Sequence, residues 1–179
     1  MGTRTAIFKE VEPNKYEGIY AHCDGYIGYT GEMLIKYFTG NNDILEVIRE
    51  KKPLASIGTT TEVISRYEDE KRYKEVMENR KPKYTGTYFV EGVSEYEYFQ
   101  AKSLEEIRNF EYLNYDENGN VKGYYSNKGE FKAHQGSANN GYLYVQSIDG
   151  QWYVSVEDDS EREMSAFVPL ENVVTGRIP

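Results

Sequence analysis

The chain has 179 residues and a net charge of −9, from 30 Asp/Glu against 21 Lys/Arg, with one cysteine and two histidines. That length fits one domain with its own core, and the acidic balance argues against independent nucleic-acid binding, where a basic face supplies the affinity. The lone cysteine excludes an internal disulfide framework and fits a reducing cytoplasm, and no apolar run reaches bilayer length or forms a signal peptide.

Charge and aromatics are unevenly spread. Residues 51–83 carry nine Lys/Arg against six Asp/Glu (+3), residues 84–121 two against eight (−6), and residues 157–163 one against five (−4). Eighteen tyrosines against seven phenylalanines and one tryptophan suit half-buried sheet faces or protein interfaces.

In chain order, TAIFKEVE and KYEGIYAHC flank the Pro-Asn turn of EPNK and predict an opening hairpin over 4–11 and 16–23. From Gly31 the spacing turns helical, with Met33, Leu34, Tyr37 and Phe38 on one face. Asp43 and Glu46 form a capping box for a second helix whose core face is Ile44, Leu45 and Ile48, ended by Pro53. Thr59 and Glu62 fit another box, predicting a surface helix that runs to Pro82.

One or two strands are expected in YTGTYFVEGVSEYEYFQ, then a short helix from Ser103 boxed by Glu106. Asn118-Gly119 predicts a hairpin with a type I′ turn, and Asp149-Gly150 a second hairpin, separated by the polar loop FKAHQGSANNG. MSAFVPL is the closing strand and ENVV a last turn. The expected class is α+β: an antiparallel sheet built from N- and C-terminal hairpins, helices on one face, and an insertion over 61–138 within a single domain spanning 1–179.

The densest chemistry lies in GIYAHCDGYIGYTGEMLIKYF, residues 18–38. If the strand continues, His22 and Asp24 share a face and Cys23 takes the other, so the pair is either structural, a general-base dyad, or part of a metal site. A zinc site needs further ligands, and the other histidine, His134, is remote in sequence. The alternation denies Cys23 a base of its own. Gly25, Gly28 and Gly31 ahead of a helix suggest a phosphate cradle, yet they match neither G-x-G-x-x-G nor a P-loop, and a strand turning into a helix accounts for them. A His22–His134 acid–base couple could cleave RNA without a metal, and Asp24 with Glu32 and another acid could hold one. No Ser-His-Asp signature is visible.

The segment GIYAHCDGYIGYTGEML, with ASIG after a short helix, resembles a family of small phage and mobile-element proteins. They share a strand ending Tyr-x-His-x-Asp-Gly-Tyr, here Tyr20, His22, Asp24, Gly25 and Tyr26, followed by a Gly and a helix. GYLYVQSIDGQWYVSV and FVPLENVV resemble that family's closing hairpin and strand. The resemblance covers roughly 3–60 and 140–175 and leaves the middle to this chain alone; Cys23 stands where those proteins often carry a larger residue.

The resemblance implies counter-defence in a bacterial host: an anti-CRISPR protein acting on Cas9 or its guide RNA. An acidic, Tyr-rich surface would meet a basic, nucleic-acid-handling partner through Glu95, Tyr96, Glu97, Tyr98, Glu105, Glu106, Glu111 and Asp116, with Asp158 and Asp159. No metal or cofactor is expected. The alternatives are a nuclease or hydrolase using His22 and Asp24, and a non-catalytic interaction module.

Overall fold

The structure, a computed structural model, describes residues 3–64, 87–89, 98–116, 118–136, 140–158 and 163–174. The opening hairpin forms as expected, from β1 (Thr5–Glu12) and β2 (Lys15–Ala21), with Asn14 at φ 63° in the two-residue turn. The next strands are β3 (Leu54–Ser56), β4 (Val63–Ile64), β5 (Thr87–Phe89), β6 (Tyr98–Ala101) and β7 (Leu113–Tyr115). A small ribbon of β8 (Gly123–Tyr125) and β9 (Phe131–Ala133) precedes β10 (Tyr142–Gln146), β11 (Trp152–Val156) and β12 (Val168–Pro169).

All but the ribbon join one mixed sheet, ordered β12-β11-β10-β1-β2-β3-β5-β4, with β6 and β7 branching from β2. The two terminal hairpins meet at its centre, where β1 runs parallel to β10, from Thr5 opposite Tyr142 to Lys9 opposite Gln146. Strand β2 forks the sheet. Its residues Tyr16 to Ile19 pair antiparallel with β6, whereas Ala21 pairs parallel with Leu54 of β3.

Strand alternation sorts side chains into two apolar clusters. Ile7, Ile19, Ala21, Tyr144, Trp152 and Val154 point to one face, covered by helix α1 (Glu32–Tyr37) through Met33 and Leu34, and by α2 (Ile44–Ile48) through Ile44, Val47 and Ile48. Val47 is buried where Leu45 was expected, and Leu45 is half-buried. Ala6, Phe8, Phe99, Leu143 and Val145 point the other way, under Ile107 of the short helix α3 (Leu104–Arg108) and Tyr112. Helices on one face therefore describes α1 and α2, and α3 lies on the other.

Caps set the helix starts. The Asp43 carboxylate accepts from the Leu45 N–H at 2.9 Å, one residue earlier than a box with Glu46 would place it. The Ser103 hydroxyl accepts from the Glu106 N–H at 3.1 Å as the box requires, whereas the Glu106 carboxylate reaches past the cap and accepts from the Lys102 N–H at 2.6 Å. The box at Thr59 does not. The Glu62 N–H bonds the Thr60 hydroxyl at 3.3 Å and the chain continues as β4, because Val63 and Ile64 pair with β5. The rest of that expected helix lies outside the described residues.

Three hairpin turns, 116–120, 126–130 and 147–151, share one construction. In each, the glycine N–H bonds the first residue's carbonyl (3.1, 2.9 and 3.0 Å) and the first N–H bonds the fifth carbonyl (2.9, 2.8 and 2.9 Å). Among the described residues of these turns, only the glycines, Gly119, Gly129 and Gly150, take positive φ (84°, 80° and 93°). Each turn is closed by a left-handed glycine, and the type I′ turn expected at Asn118-Gly119 does not form, since Asn118 lacks the positive φ that type requires. Asp116 stabilises this form by accepting from the Asn118 and Asn120 N–H groups, both at 2.9 Å. The middle turn was missed, because Phe131–Ala133 is strand rather than polar loop.

No helix among the described residues is long and apolar enough to cross a membrane.

Candidate functional site

The Tyr-x-His-x-Asp-Gly-Tyr stretch lies where β2 gives way to helix. Strand pairing ends at Ala21, although the His22 and Cys23 N–H groups still bond the Leu54 and Ala55 carbonyls, both at 2.8 Å. Asp24 then takes φ 58°, in the left-handed region. That breaks the alternation on which a shared His22–Asp24 face depended, and no hydrogen bond joins the two. His22 Nδ1 instead bonds the Tyr20 hydroxyl at 2.7 Å, with the rings edge-on at 5.9 Å.

What Asp24 supplies is its carbonyl, which accepts from the Thr30 hydroxyl at 2.6 Å and the Thr30 N–H at 3.3 Å. Gly25 follows, its N–H on the Thr3 carbonyl and its own carbonyl taking the Tyr144 phenol at 2.7 Å. A Cβ on Gly25 would sit 2.8 Å from the Thr3 oxygen, so only glycine fits. A single π-helical turn (Ile27–Gly31) leads into α1. The loop is folded onto the sheet with these backbone groups committed internally, which leaves them unavailable to cradle a phosphate.

The neighbouring chemistry is equally unhelpful to catalysis. Burial and the nearby Asp24 push the Cys23 thiol up, away from thiolate. His134 packs on Tyr124 at 5.9 Å, on the ribbon, and makes no contact with His22 among the described residues. Glu32 is buried at 3% exposure, and no group of three His, Cys, Asp or Glu able to hold a metal is found among the described residues.

A cleft of about 560 Å³ opens at the tip of the opening hairpin, against β6, β7 and the start of α3. Glu12, Glu106 and Glu111 line it with Lys15 and Lys102, over a floor that includes Ala101 and Leu113. Glu105 is exposed on the adjoining turn of α3, as is Glu111, whose N–H bonds the Glu106 carbonyl at 2.8 Å. The structure thus brings Glu106 and Glu111 to one cleft, with Glu105 outside its lining at the next position of α3. Tyr115 also lines the cleft, and Asp116 follows it, half-buried and occupied with its turn.

The other expected contacts do not join them. Tyr98 is buried at 3% exposure, because its register opposite Ile19 aims it at the α1/α2 face. Asp158 is exposed beyond the end of β11, beside the start of β1, the length of a strand (~20 Å) from the hairpin tip. Glu95, Tyr96, Glu97 and Asp159 lie outside the described residues.

Sequence reasoning missed Glu17. It is 5% exposed on β2, held by Arg49 through Nε (3.2 Å) and Nη2 (2.9 Å) and by the Tyr98 phenol. The signal was present, since alternation puts Glu17 on the same face as Ile19 and Ala21. Burial alone would raise this carboxyl, but the hydrogen bonds from Arg49 and Tyr98 outweigh it and hold it below the usual range. Lys51 sits over the Tyr98 ring, 4.9 Å from its centroid.

No family model, curated protein or solved structure matches the chain.

Proposed function

We propose that this is a non-catalytic binding protein that inhibits a basic, nucleic-acid-handling enzyme of bacterial defence, with Cas9 as the narrowest reading. The supporting observation is that Glu12, Glu106 and Glu111 line an open cleft at the tip of the opening hairpin, with Glu105 exposed at the neighbouring position of α3. Carboxylates held on a helix and strand scaffold present fixed negative charge, which accelerates docking on Arg and Lys side chains and competes with nucleic acid for them. Because His22 engages Tyr20 and Asp24 serves through its carbonyl, stoichiometric contact fits these residues better than turnover.

The test is cleavage of target DNA by Cas9 and guide RNA with the protein added, the guide being followed on a denaturing gel. Inhibition that saturates near equimolar protein, with full-length guide, is the expected result. A shortened guide would favour an RNA-cleaving enzyme instead, and unimpaired cleavage would remove Cas9 as the target.

A further inference from the structure

The ribbon of β8 and β9 stands outside both apolar clusters, yet it carries the most exposed aromatic rings described. Tyr124, Tyr125 and Phe131 are 57, 74 and 46% exposed. Tyr125 faces Phe131 across the strands with ring centroids 5.4 Å apart, and Tyr124 faces Lys132 on the opposite side of the ribbon. Each side carries a ring pair, Tyr125 with Phe131 and Tyr124 with His134, yet Tyr124, Tyr125 and Phe131 stay largely open to solvent, more than stabilising a hairpin requires.

The ribbon is firmly placed. Buried Asn114 donates through Nδ2 to the His134 and Gln135 carbonyls (3.2 and 3.0 Å), and its backbone bonds both His134 and Lys122. Its charge opposes that of the whole molecule. Residues 121–135 carry Lys122, Lys128 and Lys132 against Glu130 alone, a net of +2 in a chain of −9.

We propose that this ribbon binds single-stranded nucleic acid, with bases stacking on Tyr124, Tyr125 and Phe131 while Lys128 and Lys132 meet phosphates. Exposed rings interleaved with cations are the chemistry of single-strand platforms, where stacking tolerates any base and the cations follow the backbone. Duplex bases are already stacked and offer no free face to these rings. The overall negative charge argues against nucleic acid only where charge is evenly spread, and here it reverses locally. An acidic segment of a second copy could satisfy the lysines but would leave the ring faces unused. The inference is independent of the acidic-face reading, since neither Glu105 nor Glu111 takes part.

The probe is a fluorescein-labelled oligouridylate of about 12 nucleotides, titrated with full-length protein at low salt and followed by anisotropy. Saturable binding is expected, weaker for the matching duplex, and falling about tenfold over a fourfold rise in salt for two to three neutralised phosphates. Replacing Tyr124, Tyr125 and Phe131 together by alanine should weaken it at least tenfold. The pair Lys128→Glu and Lys132→Glu should do the same, whereas Tyr125→Phe, which keeps the ring, should bind like wild type. All of these variants should unfold within a few degrees of wild type, because the replaced side chains are exposed and lose only surface ring contacts and the Lys132–Glu130 pair. Absence of binding by wild type, or undiminished binding by the triple alanine variant, overturns the proposal. So does a concentration-dependent dimer, lost in that variant, from a protein that ignores the oligonucleotide. Glu105→Lys with Glu111→Lys should leave oligonucleotide binding intact, separating failure here from failure of the acidic-face reading.

Discussion

The Tyr98 phenol donates to a Glu17 carboxylate oxygen at 2.5 Å, and Arg49 grips the same carboxylate from the solvent side. Strand β6 is thereby tied to β2 by a charge as well as by its ladder. Burial, then the Glu17 hydrogen bond, push the Tyr98 hydroxyl well above its usual range, so it remains a donor at any working pH.

This site predicts acid sensitivity. The Glu17 carboxyl is held low in the folded protein, so its contribution is full above the ordinary carboxylate range and is lost as pH falls from about 5 through its folded value. Urea unfolding at neutral and acid pH should show Glu17→Gln losing less stability on acidification than wild type. Tyr98→Phe should cost about 1–2 kcal/mol at neutral pH, by removing one donor to a charged group. Equal acid sensitivity in Glu17→Gln and wild type would place the titrating group elsewhere.

The Asp24 side chain should be dispensable, because its backbone carries the role. Asp24→Asn and Asp24→Gly should change stability by less than about 1 kcal/mol, since both residues accept a left-handed φ. Asp24→Val should be destabilising by about 1–2 kcal/mol, and Thr30→Val by a similar amount because the hydroxyl donor to the Asp24 carbonyl disappears. Thermal unfolding ranks the four. Asp24→Asn destroying an activity while leaving the melting temperature unchanged would restore a catalytic role.

Charge reversal at the cleft separates function from folding only if the right acids are chosen. Glu106 holds the Lys102 N–H ahead of α3 and Asp116 holds a turn, so reversing either would perturb structure. Glu105→Lys with Glu111→Lys should keep the melting temperature within a few degrees while abolishing inhibition of target cleavage. His22→Ala should keep inhibition. The reverse pattern would move the functional site to the strand–helix junction.

On the opposite face, Tyr112 is fully buried, 5.1 Å from Phe8 and 4.7 Å from Phe99 by ring centroids, and accepts from Asn140 Nδ2 at 3.1 Å. Tyr112→Ala should cost about 3–5 kcal/mol by opening a cavity. Tyr112→Phe should cost about 1 kcal/mol, the worth of one neutral hydrogen bond. Chemical denaturation measures both, and a small loss in Tyr112→Ala would mean that this face repacks around the gap.

Local signals were readable where one element decides its own form. The opening hairpin, the core side of α1, the Ser103 cap and the Asp149-Gly150 hairpin are written in spacing and turn chemistry. Long-range placement was not. That β1 lies parallel to β10 depends on pairing across the whole chain, and nothing local in TAIFKE or YLYVQ marks it. The type I′ expectation failed because Asp116, outside the Asn-Gly pair, sets the turn. The His22–Asp24 dyad assumed a strand continuing past Ala21, whereas a left-handed Asp24 bends the chain toward Thr3. Tyr98 was read by residue type as an interface anchor, while its register opposite Ile19 sends it inward.

The parallel seam between β1 and β10 also orders events during synthesis. Thr5 cannot meet Tyr142 until the 136 residues between them have left the ribosome, so the first hairpin waits with one edge unpaired while the rest is made. Completion of the sheet and burial of the sole tryptophan, Trp152, belong to the same late step, since Trp152 lies on the strand that closes against β10 and bonds the Phe38 carbonyl at 3.0 Å. A nascent chain halted before residue 140 would therefore expose a sticky strand edge, and intrinsic fluorescence would report the moment at which the finished protein seals it.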